Sequence, residues 1–338
     1  MVFLVIGLGS MGKRRIRNLQ SLSYQDIIGY DINQNRLNEV KEKYGISVYE
    51  DFDNILLNNK IDVFIISTPP NMHMKYANIA YNNNIHCFIE ASVIHSKEIL
   101  KLSQKIEKKD LIIVPSCTMA YYGMPLKVKE LIAAGIIGKP LNINYQCVQY
   151  LPDWHPWEDI NDYYVSNPST SGCREIVPFE LTWLNKIFGY PNPLACVKRK
   201  LTDMQADIDD IYHCILQYPN NLLANITIEV ISRPKSTREI TILGDIGKLS
   251  YSADTNILRY INTAMDDWKI INFESGSIEK GYINPEEPYI NEMEDFLNAI
   301  IKKDIKLFPN SLKEDYDTLN LLYKLEELTG DDIANLSR

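Results

Sequence analysis

The hydrophobic pattern of the first twenty residues predicts a strand, a turn and a helix. Val2 to Ile6 is an unbroken apolar run, which is typical of a strand buried on both faces. A glycine-rich turn occupies residues 7–12, and residues 13–19 have the pattern of a helix. This stretch therefore predicts the first strand and helix of a βαβ unit.

Short apolar runs continue to alternate with helical segments as far as about residue 118. The pattern predicts further strands at residues 26–30, 61–66, 86–89 and 111–114. It predicts helices from about residue 34, and at residues 71–82 and 97–108. Strands that alternate with helices of this length predict a parallel, doubly wound sheet, which binds its ligand at the carboxyl ends of the strands.

From about residue 140 the sequence becomes rich in β-forming residues with partial alternation. The predicted strands are residues 141–148, 212–218, 222–230, 239–243, 248–251 and 257–261. Predicted helices are residues 126–134 before the strands, 178–188 among them, and 292–302 and 312–328 after them. The pattern predicts a large, mainly antiparallel open sheet with helices on one face.

Two α/β domains are therefore expected: a Rossmann domain at residues 1–118, and a substrate-binding and oligomerisation domain at residues 119–338. Ile226, Ile228 and Val230 alternate along one predicted strand of the second domain. Because the predicted helices of one chain are too few to cover both sheet faces, we expect a homo-oligomer, a dimer or tetramer, joined through this sheet.

Composition narrows the class of partner. The chain has 338 residues, of which 45% are hydrophobic and 23% are charged, as in an ordinary globular protein. A net charge of −9 argues against a nucleic-acid partner, and no apolar run reaches the ~18 residues of a membrane span. Six widely spaced cysteines without a C-x-x-C pair, and five scattered histidines, predict reduced thiols, no metal site and a cytoplasmic location. The first strand follows Met1 almost directly, so we expect no signal peptide.

The glycine turn has the spacing G-x-G-x-x-G between a strand and a helix, which is the context that the dinucleotide fingerprint requires. It is formed by Gly7, Leu8, Gly9, Ser10, Met11 and Gly12. Gly7 permits the tight turn, Gly9 lets the backbone approach a pyrophosphate, and Gly12 lets the helix pack on the strand. The start of the helix, with Ser10 and Met11, then binds the phosphates.

An acidic residue ends the second predicted strand, about 20 residues after the glycines. This residue, Asp31, would accept hydrogen bonds from the ribose hydroxyls and repel a 2′-phosphate. The cofactor is therefore expected to be NAD rather than NADP, although Arg36 is a basic residue that would reach such a phosphate. The alternative is that Asp31 only caps the helix beginning near Gln34.

Three later motifs follow the glycine turn in order. Ser67-Thr68-Pro69-Pro70-Asn71-Met72-His73 follows one strand, Phe88-Ile89-Glu90-Ala91-Ser92 spans the end of the next, and Gly135-Ile136-Ile137-Gly138-Lys139-Pro140 comes later. With these motifs the sequence resembles the Gfo/Idh/MocA (glucose–fructose oxidoreductase, inositol dehydrogenase and MocA) family over essentially its whole length, most strongly over residues 1–140. The resemblance implies a Rossmann domain, a domain that oligomerises through its open sheet, and NAD(P)-dependent oxidation or reduction of sugars and polyols.

The resemblance also implies which residues line the nicotinamide side of the cofactor. They are Ser67, Thr68, Pro69, Pro70 and His73. Glu90 and Ala91 are also expected to contact the cofactor. The alternative for this stretch is structural: the two prolines stop the strand and Asn71 caps a helix.

Two positions depart from the family. Ala91 stands where the family usually has a lysine that carries a proton or anchors the substrate. Phe179 stands where it usually has a histidine. The usual acid–base pair is therefore replaced, and another titratable group has to move the proton.

The candidates lie in and before the segment that follows Gly172. Glu180 is the first candidate for the base, Glu175 the second and His155 the third, while Arg174 is suited to hold a carboxylate or phosphate. On a helix, Glu175 and Glu180 point about 140° apart, so only one is expected to face the site.

The aromatic stretch at residues 150–157 suits the faces and hydroxyl rims of a sugar. The alternative is that Arg174 pairs with Glu175 or Glu180 on the helix surface, and that Trp154 and Trp157 are core residues.

The sequence thus predicts an NAD-dependent oxidoreductase for a sugar, nucleotide sugar or related polyol. A role in surface-glycan synthesis is a hypothesis by analogy of fold. The competing hypothesis is a dinucleotide-binding sensor or scaffold that kept the fold and lost turnover, which the loss of both usual proton carriers favours.

Overall fold

The computed structural model describes residues 1–156 and 158–328, which form two compact units. The first unit comprises residues 1–121 and 276–316, and the second comprises residues 122–275 and the described residues from 317 onward. Residues 276–316 therefore return to the first unit, whereas the sequence pattern assigned everything after residue 118 to the second domain. The apolar stripe of a helix shows that it is covered, but not which unit covers it.

Nine α-helices occur among the described residues. They are α1 (Ser10–Ser21), α2 (Gln34–Tyr44), α3 (Phe52–Asn58), α4 (His73–Asn82), α5 (Ser96–Ile106), α6 (Gly123–Ala133), α7 (Gly172–Phe188), α8 (Glu287–Lys302) and α9 (Leu312–Glu327). Helix α8 completes the core of the first unit, where Phe296 packs on Phe88 with ring centroids 5.5 Å apart.

The first unit contains a six-stranded parallel sheet. Its strands are β1 (Phe3–Ile6), β2 (Ile27–Tyr30), β3 (Ser47–Tyr49), β4 (Val63–Ile66), β5 (His86–Ile89) and β6 (Ile113–Pro115), in the order β3-β2-β1-β4-β5-β6. Strands β1, β2 and β4 are buried along their whole length, as their apolar runs predict. The predicted doubly wound sheet is confirmed.

The second unit contains an eight-stranded sheet. Its strands are β7 (Pro140–Val148), β8 (Asn192–Arg199), β9 (Ile211–Tyr218), β10 (Leu222–Glu229), β11 (Thr237–Gly244), β12 (Gly247–Ser252), β13 (Ile257–Asn262) and β14 (Lys269–Asn272). Their order is β14-β13-β12-β11-β7-β10-β9-β8, and every neighbouring pair is antiparallel except β7 with β10. The predicted large, mainly antiparallel sheet is confirmed.

Helix α7 covers one face of this sheet. Cys173 of α7 lies with its Sγ 3.6 Å from the carbonyl oxygen of Ile228 on β10. Ile226, Ile228 and Val230 are buried, so the residues that we assigned to an open face do not form it. The other face of β10 carries Leu223, Asn225 and Thr227, because neighbouring residues of a strand point to opposite faces. Alternation identifies two faces, but it does not show which one a helix covers.

No disulfide joins the six cysteines, all of which are buried and lie among the described residues. Within residues 1–156 and 158–328, no helix is both long and apolar enough to span a bilayer. In the same residues, no group of three or more histidine, cysteine or acidic side chains is placed to hold a metal ion.

Candidate functional site

The three glycines of the first turn meet different surroundings. A Cβ on Gly7 would lie 2.6 Å from the carbonyl oxygen of Ser67, and one on Gly12 would overlap the carbonyl oxygen of Gly7. A Cβ on Gly9 would meet nothing within 4 Å, and Gly9 provides no side-chain cap for α1. Gly7 and Gly12 are thus needed for packing, whereas Gly9 leaves open space in front of the helix, which is what a bound pyrophosphate requires.

Asp31 is held against this turn. It is 5% exposed; its Oδ2 accepts a hydrogen bond from the Leu8 backbone N–H at 2.7 Å, and its Oδ1 accepts one from the Asn33 backbone N–H at 2.8 Å. The cap of α2 is Asn33, so the alternative that Asp31 caps this helix is wrong. Arg36 lies with Nη1 3.7 Å from Asp31 Oδ2.

The loop after β4 leads into α4, which begins at His73. Met72 precedes α4 without a side-chain cap, so Asn71 does not cap this helix as the structural alternative proposed. The His73 Nε2–H donates to the carbonyl oxygen of Thr68 at 2.9 Å, and burial lowers the pKa of His73 to about 4, so the ring is neutral near pH 7. Thr68 Oγ1 and His73 Nδ1 are buried and have no hydrogen-bond partner among the described residues.

These features fit a dinucleotide. Buried polar atoms are nearly always hydrogen-bonded, so Thr68 Oγ1 and His73 Nδ1 indicate a missing partner such as a ligand or water. They follow β4, while Gly9 and Asp31 follow β1 and β2, and β1 pairs with both β2 and β4. In sheets of this strand order, dinucleotides bind at this edge. The residues present can therefore hold NAD.

Glu90 and Ala91 follow β5, the next strand of the sheet. The Arg15 Nε and Nη2 donate to the two carboxylate oxygens of Glu90 at 2.7 and 3.0 Å, and the Ser67 hydroxyl donates to Glu90 Oε1 at 3.3 Å. Ala91, beside them, contributes no titratable group.

In the second unit, α7 carries three of the four predicted catalytic residues. It begins at Gly172, with the Ser171 hydroxyl oxygen accepting from the Arg174 backbone N–H, and Pro178 lies inside it. The sequence pattern began this helix at Pro178, because a proline is usual in the first turn and rare in the interior of a helix.

Glu180 points toward the sheet and is completely buried. It accepts hydrogen bonds from the Tyr145 hydroxyl at 2.5 Å, the Trp183 Nε1–H at 2.8 Å and the Arg238 Nη2–H at 2.6 Å. The first candidate is therefore a buried structural group held by three protein donors, rather than a residue that is open to a substrate.

Arg174 is also committed to structure. Its Nε and Nη2 donate to Glu326 of α9 at 2.6 and 2.9 Å, and its Nη1 donates to the Ser169 carbonyl oxygen at 2.6 Å. Its ion pair among the described residues is with Glu326, whereas the structural alternative drawn from the sequence paired it with Glu175 or Glu180. Its side chain is 9% exposed, so little of the guanidinium faces solvent for a substrate carboxylate or phosphate.

Glu175 differs from Glu180 in its partners. It is half-buried, and its Oε1 accepts from the Tyr164 hydroxyl at 3.1 Å. Burial raises the pKa of Glu175 to about 8, and the Tyr164 hydrogen bond opposes this shift only in part. Glu175 therefore exchanges a proton near neutral pH, as a general acid or base must.

His155 lies in the same part of the second unit. Its ring stacks on Tyr163 with centroids 4.7 Å apart, its Nδ1 is 2.5 Å from Glu158 Oε1, and the ring of Tyr163 meets that of Tyr164 at 87°. We call His155, Tyr163, Tyr164 and Glu175 the aromatic cluster.

Trp154, next to His155, is half-buried, and its Nε1 has no partner among the described residues. Trp157 lies outside the described residues. The two tyrosines were not among the sequence candidates; the only local signal is their adjacency a few residues before Gly172.

Comparison with known proteins identifies two family models along the chain. Residues 1–116 match the model of an oxidoreductase family with an NAD-binding Rossmann fold, GFO/IDH/MocA, and residues 126–250 match the GFO/IDH/MocA C-terminal domain. No curated protein matches the sequence.

Several solved structures share the fold over nearly the whole chain. Levoglucosan dehydrogenase, in complex with NADH and levoglucosan, has a TM-score of 0.82 and 15% identity, and covers 98% of both chains. An inositol dehydrogenase homolog from Azotobacter vinelandii with NAD+ has a TM-score of 0.80 and 14% identity, and covers 97% of this chain and 95% of its own. UDP-N-acetylglucosamine 3-dehydrogenase from Acidithiobacillus ferrooxidans has a TM-score of 0.76 and 17% identity, and covers 98% of both. At these identities the likeness concerns the fold.

Proposed function

Because this chain belongs to the Gfo/Idh/MocA oxidoreductase family, we propose that it is an NAD-dependent oxidoreductase that interconverts a hydroxyl and a carbonyl group on a sugar-like substrate. The observation that carries the proposal is the protonation state of Glu175, a half-buried carboxyl group that is hydrogen-bonded to Tyr164 and has a pKa of about 8.

The first unit binds the cofactor in this proposal. The start of α1, opened by Gly9, takes the pyrophosphate; Asp31 takes the ribose hydroxyls and disfavours a 2′-phosphate; Thr68 and His73 contribute the buried atoms that need partners. When bound, NAD supplies the hydride acceptor or, in its reduced form, the hydride donor.

Glu175 moves the proton. In oxidation, a Glu175 carboxylate oxygen would accept the proton of the substrate hydroxyl, and NAD held by the first unit would supply the acceptor for the hydride of the C–H bond. In reduction, Glu175 returns a proton to the carbonyl oxygen. Because its pKa is about 8, Glu175 is mostly protonated at pH 7, which favours reduction near neutral pH and oxidation above pH 8.

The substrate class follows from the aromatic cluster. The stacked rings of His155 and Tyr163 offer apolar faces with polar edges, which suit a sugar ring. Three of the structural neighbours act on, or are related to enzymes that act on, an anhydrosugar, an inositol and a nucleotide sugar. A role in surface-glycan synthesis and a cytoplasmic location remain predictions.

The test is the pH dependence of turnover, followed by cofactor absorbance with a panel of sugars, nucleotide sugars and inositols. We expect oxidation to rise through pH 8 and reduction to fall through it. Glu175→Gln should lower kcat by ~10²–10⁴ without weakening NAD binding.

Two other variants complete this experiment. Glu180→Gln should lower thermal stability rather than abolish turnover, because Glu180 is paired with Arg238 in the interior. His155→Asn tests whether the imidazole has a role in turnover that is separate from the role of Glu175. A Glu175→Gln variant that keeps the kcat and the pH profile of the wild type would contradict the assignment.

The sensor hypothesis has one specific observation in its favour, which is Ala91 together with Phe179 in place of the usual proton carriers. It predicts tight NAD binding without turnover of any member of the panel at any pH between 6 and 10. Turnover that depends on Glu175 would exclude it.

A further inference from the structure

Arg15 is a charged residue that the proposed chemistry does not use. It lies on α1 just after the glycine turn and is 0% exposed, with its guanidinium carbon 4.5 Å from the centroid of the Phe88 ring. A buried charge is costly unless it is paired and hydrogen-bonded. The groups that pair with Arg15 therefore indicate which part of the protein it positions.

Two carboxylates pair with Arg15. The Arg15 Nε and Nη2 donate to the two carboxylate oxygens of Glu90 at 2.7 and 3.0 Å. The Oε2 of Glu292 on α8 lies 2.9 Å from Arg15 Nη2. Burial alone would lower the pKa of Arg15, but these two carboxylates more than reverse that effect, and the pKa is raised. Arg15 is therefore permanently charged, and its planar guanidinium group fixes the plane of the Glu90 carboxylate.

The Glu292 carboxylate extends this network to the end of β6. It accepts from the Ser116 hydroxyl at 2.9 Å, the Cys117 backbone N–H at 2.5 Å and the Thr118 hydroxyl at 2.7 Å. Glu90, on the other side of Arg15, also accepts from the Ser67 hydroxyl after β4. One guanidinium thus connects the loops that follow β4, β5 and β6.

We propose that Arg15 is a positioning residue for the nicotinamide end of the cofactor, acting through Glu90 and Ser67. This inference rests on the proposed NAD binding. In the proposed binding mode the pyrophosphate and adenosine end of the cofactor lies against Gly9 and Asp31, whereas the ion pairs of Arg15 go to Glu90 and Glu292. The role of Arg15 is therefore expected to be confined to one end of the ligand.

Arg14 supplies a matched control. It is the neighbouring residue on α1, is also buried, and donates from Nε to Glu286 at 3.1 Å, with its guanidinium over the Tyr289 ring at 4.0 Å. Arg14 is therefore about as deeply buried as Arg15 and also pairs with a glutamate, although through a single Nε bond, and its partners lie in the returning segment and not in the loops after β4 and β5.

The experiment compares Arg15→Lys with Arg14→Lys by titration calorimetry with NAD+ and with ADP-ribose, which lacks the nicotinamide. Lysine keeps the charge but cannot hold a carboxylate with two parallel bonds. We expect Arg15→Lys to weaken NAD+ binding ~10-fold and to leave ADP-ribose binding within about 2-fold. An effect of this size is typical of residues that do not touch the ligand but orient a group that does. Arg14→Lys should leave the ratio of the two affinities unchanged.

Equal weakening of both ligands by Arg15→Lys would overturn the proposal, because it would make Arg15 a general structural residue. Selective weakening of NAD+ by Arg14→Lys would also overturn it. Should Arg15→Lys fail to fold, Glu90→Gln breaks the same pair from the other side, and an unchanged affinity ratio there would reject the proposal. A wild-type protein that binds neither NAD+ nor ADP-ribose would instead refute the proposed function.

Discussion

At the scale of single residues, the surroundings of each buried carboxyl group decide what it can do. Glu90 and Glu180 are paired with the guanidinium groups of Arg15 and Arg238. Glu175 and Asp315 are hydrogen-bonded to the hydroxyls of Tyr164 and Ser92, and burial raises their pKa values to about 8 and about 7. These carboxyl groups are thereby divided into members of buried ion pairs and groups whose raised pKa values lie near neutral pH.

Asp315 yields a prediction about stability. Its pKa is raised by burial from 3.8 to about 7, so the folded protein binds this proton more tightly than the unfolded chain does. The stabilising contribution is fully present below pH 4 and is lost as the pH rises through 7, by up to ~4 kcal/mol. Asp315→Asn should therefore be more stable than the wild type at pH 8 and gain nothing at pH 4, as measured by urea unfolding across this range.

Glu294→Gln, which removes an exposed acid on α8, is the control for this series. Its stability curve should run parallel to that of the wild type. An Asp315→Asn curve that is also parallel to the wild type would show that Asp315 does not titrate in this range.

The sequence identified useful residue types but not their partners. Helical spacing correctly separated the directions of Glu175 and Glu180. It did not show which of them meets Arg238, because that arginine lies 58 residues away on β11. For the same reason the alternative that paired Arg174 with Glu175 or Glu180 missed its partner Glu326, which is 152 residues away. Local patterns predict direction on an element, whereas ion pairs depend on tertiary packing.

At the scale of elements, different glycines of the turn between β1 and α1 are needed for folding and for cofactor binding. Gly9→Ala adds a methyl group that meets nothing in the protein, at a φ of −68°, so we expect thermal stability to be kept or slightly raised. The same methyl group occupies the space that the pyrophosphate needs, so NAD affinity should fall by ~10-fold or more. Thermal unfolding and calorimetry on the same sample measure both effects.

Gly12→Ala is the matched comparison. Its methyl group would overlap the Gly7 carbonyl oxygen, so this variant should lose stability. If Gly9→Ala bound NAD as tightly as the wild type, the pyrophosphate would have to lie elsewhere.

Prediction of elements succeeded where the apolar pattern was long. The strands β1, β2, β4 and β5 were found because buried parallel strands are uninterrupted apolar runs. The missed strands are β3, which has three residues, β8, which contains Pro193 near its start, and β14, which has four residues with a polar residue at each end. Such strands are ordered by their neighbours in the sheet rather than by their own pattern.

At the scale of the whole molecule, the uncovered face of the second sheet gives a prediction about assembly. It carries Leu223 and Ile215, which are 45% and 36% exposed on adjacent strands β10 and β9. We expect a dimer or tetramer formed through this face. Leu223→Arg should shift the equilibrium toward the monomer in analytical ultracentrifugation, because an unpaired charge is costly to bury.

Leu57→Arg is the control for a general effect of added charge, since Leu57 is 83% exposed on α3 of the other unit. A wild-type protein that sediments as a monomer at all concentrations would reject the prediction, as would a Leu223→Arg variant that assembles normally.

The family was predictable at this scale because its motifs occur in a fixed order along the chain, and they require no knowledge of packing. The return of residues 276–316 to the first unit was not predictable from local pattern. It depends on contacts such as Arg14 with Glu286 and Arg15 with Glu292, each of which spans more than 250 residues of sequence.

That return has a consequence for how the protein is made. During synthesis, β1 to β6 leave the ribosome long before Glu292, because the 154 residues at 122–275 are translated in between. At ~5–20 residues per second this interval is on the order of ten seconds. Throughout it, Arg15 lacks one of its two counterions, and the Ser116, Cys117 and Thr118 donors lack their acceptor. The first unit therefore completes the network around Arg15 only after the second unit has been synthesised.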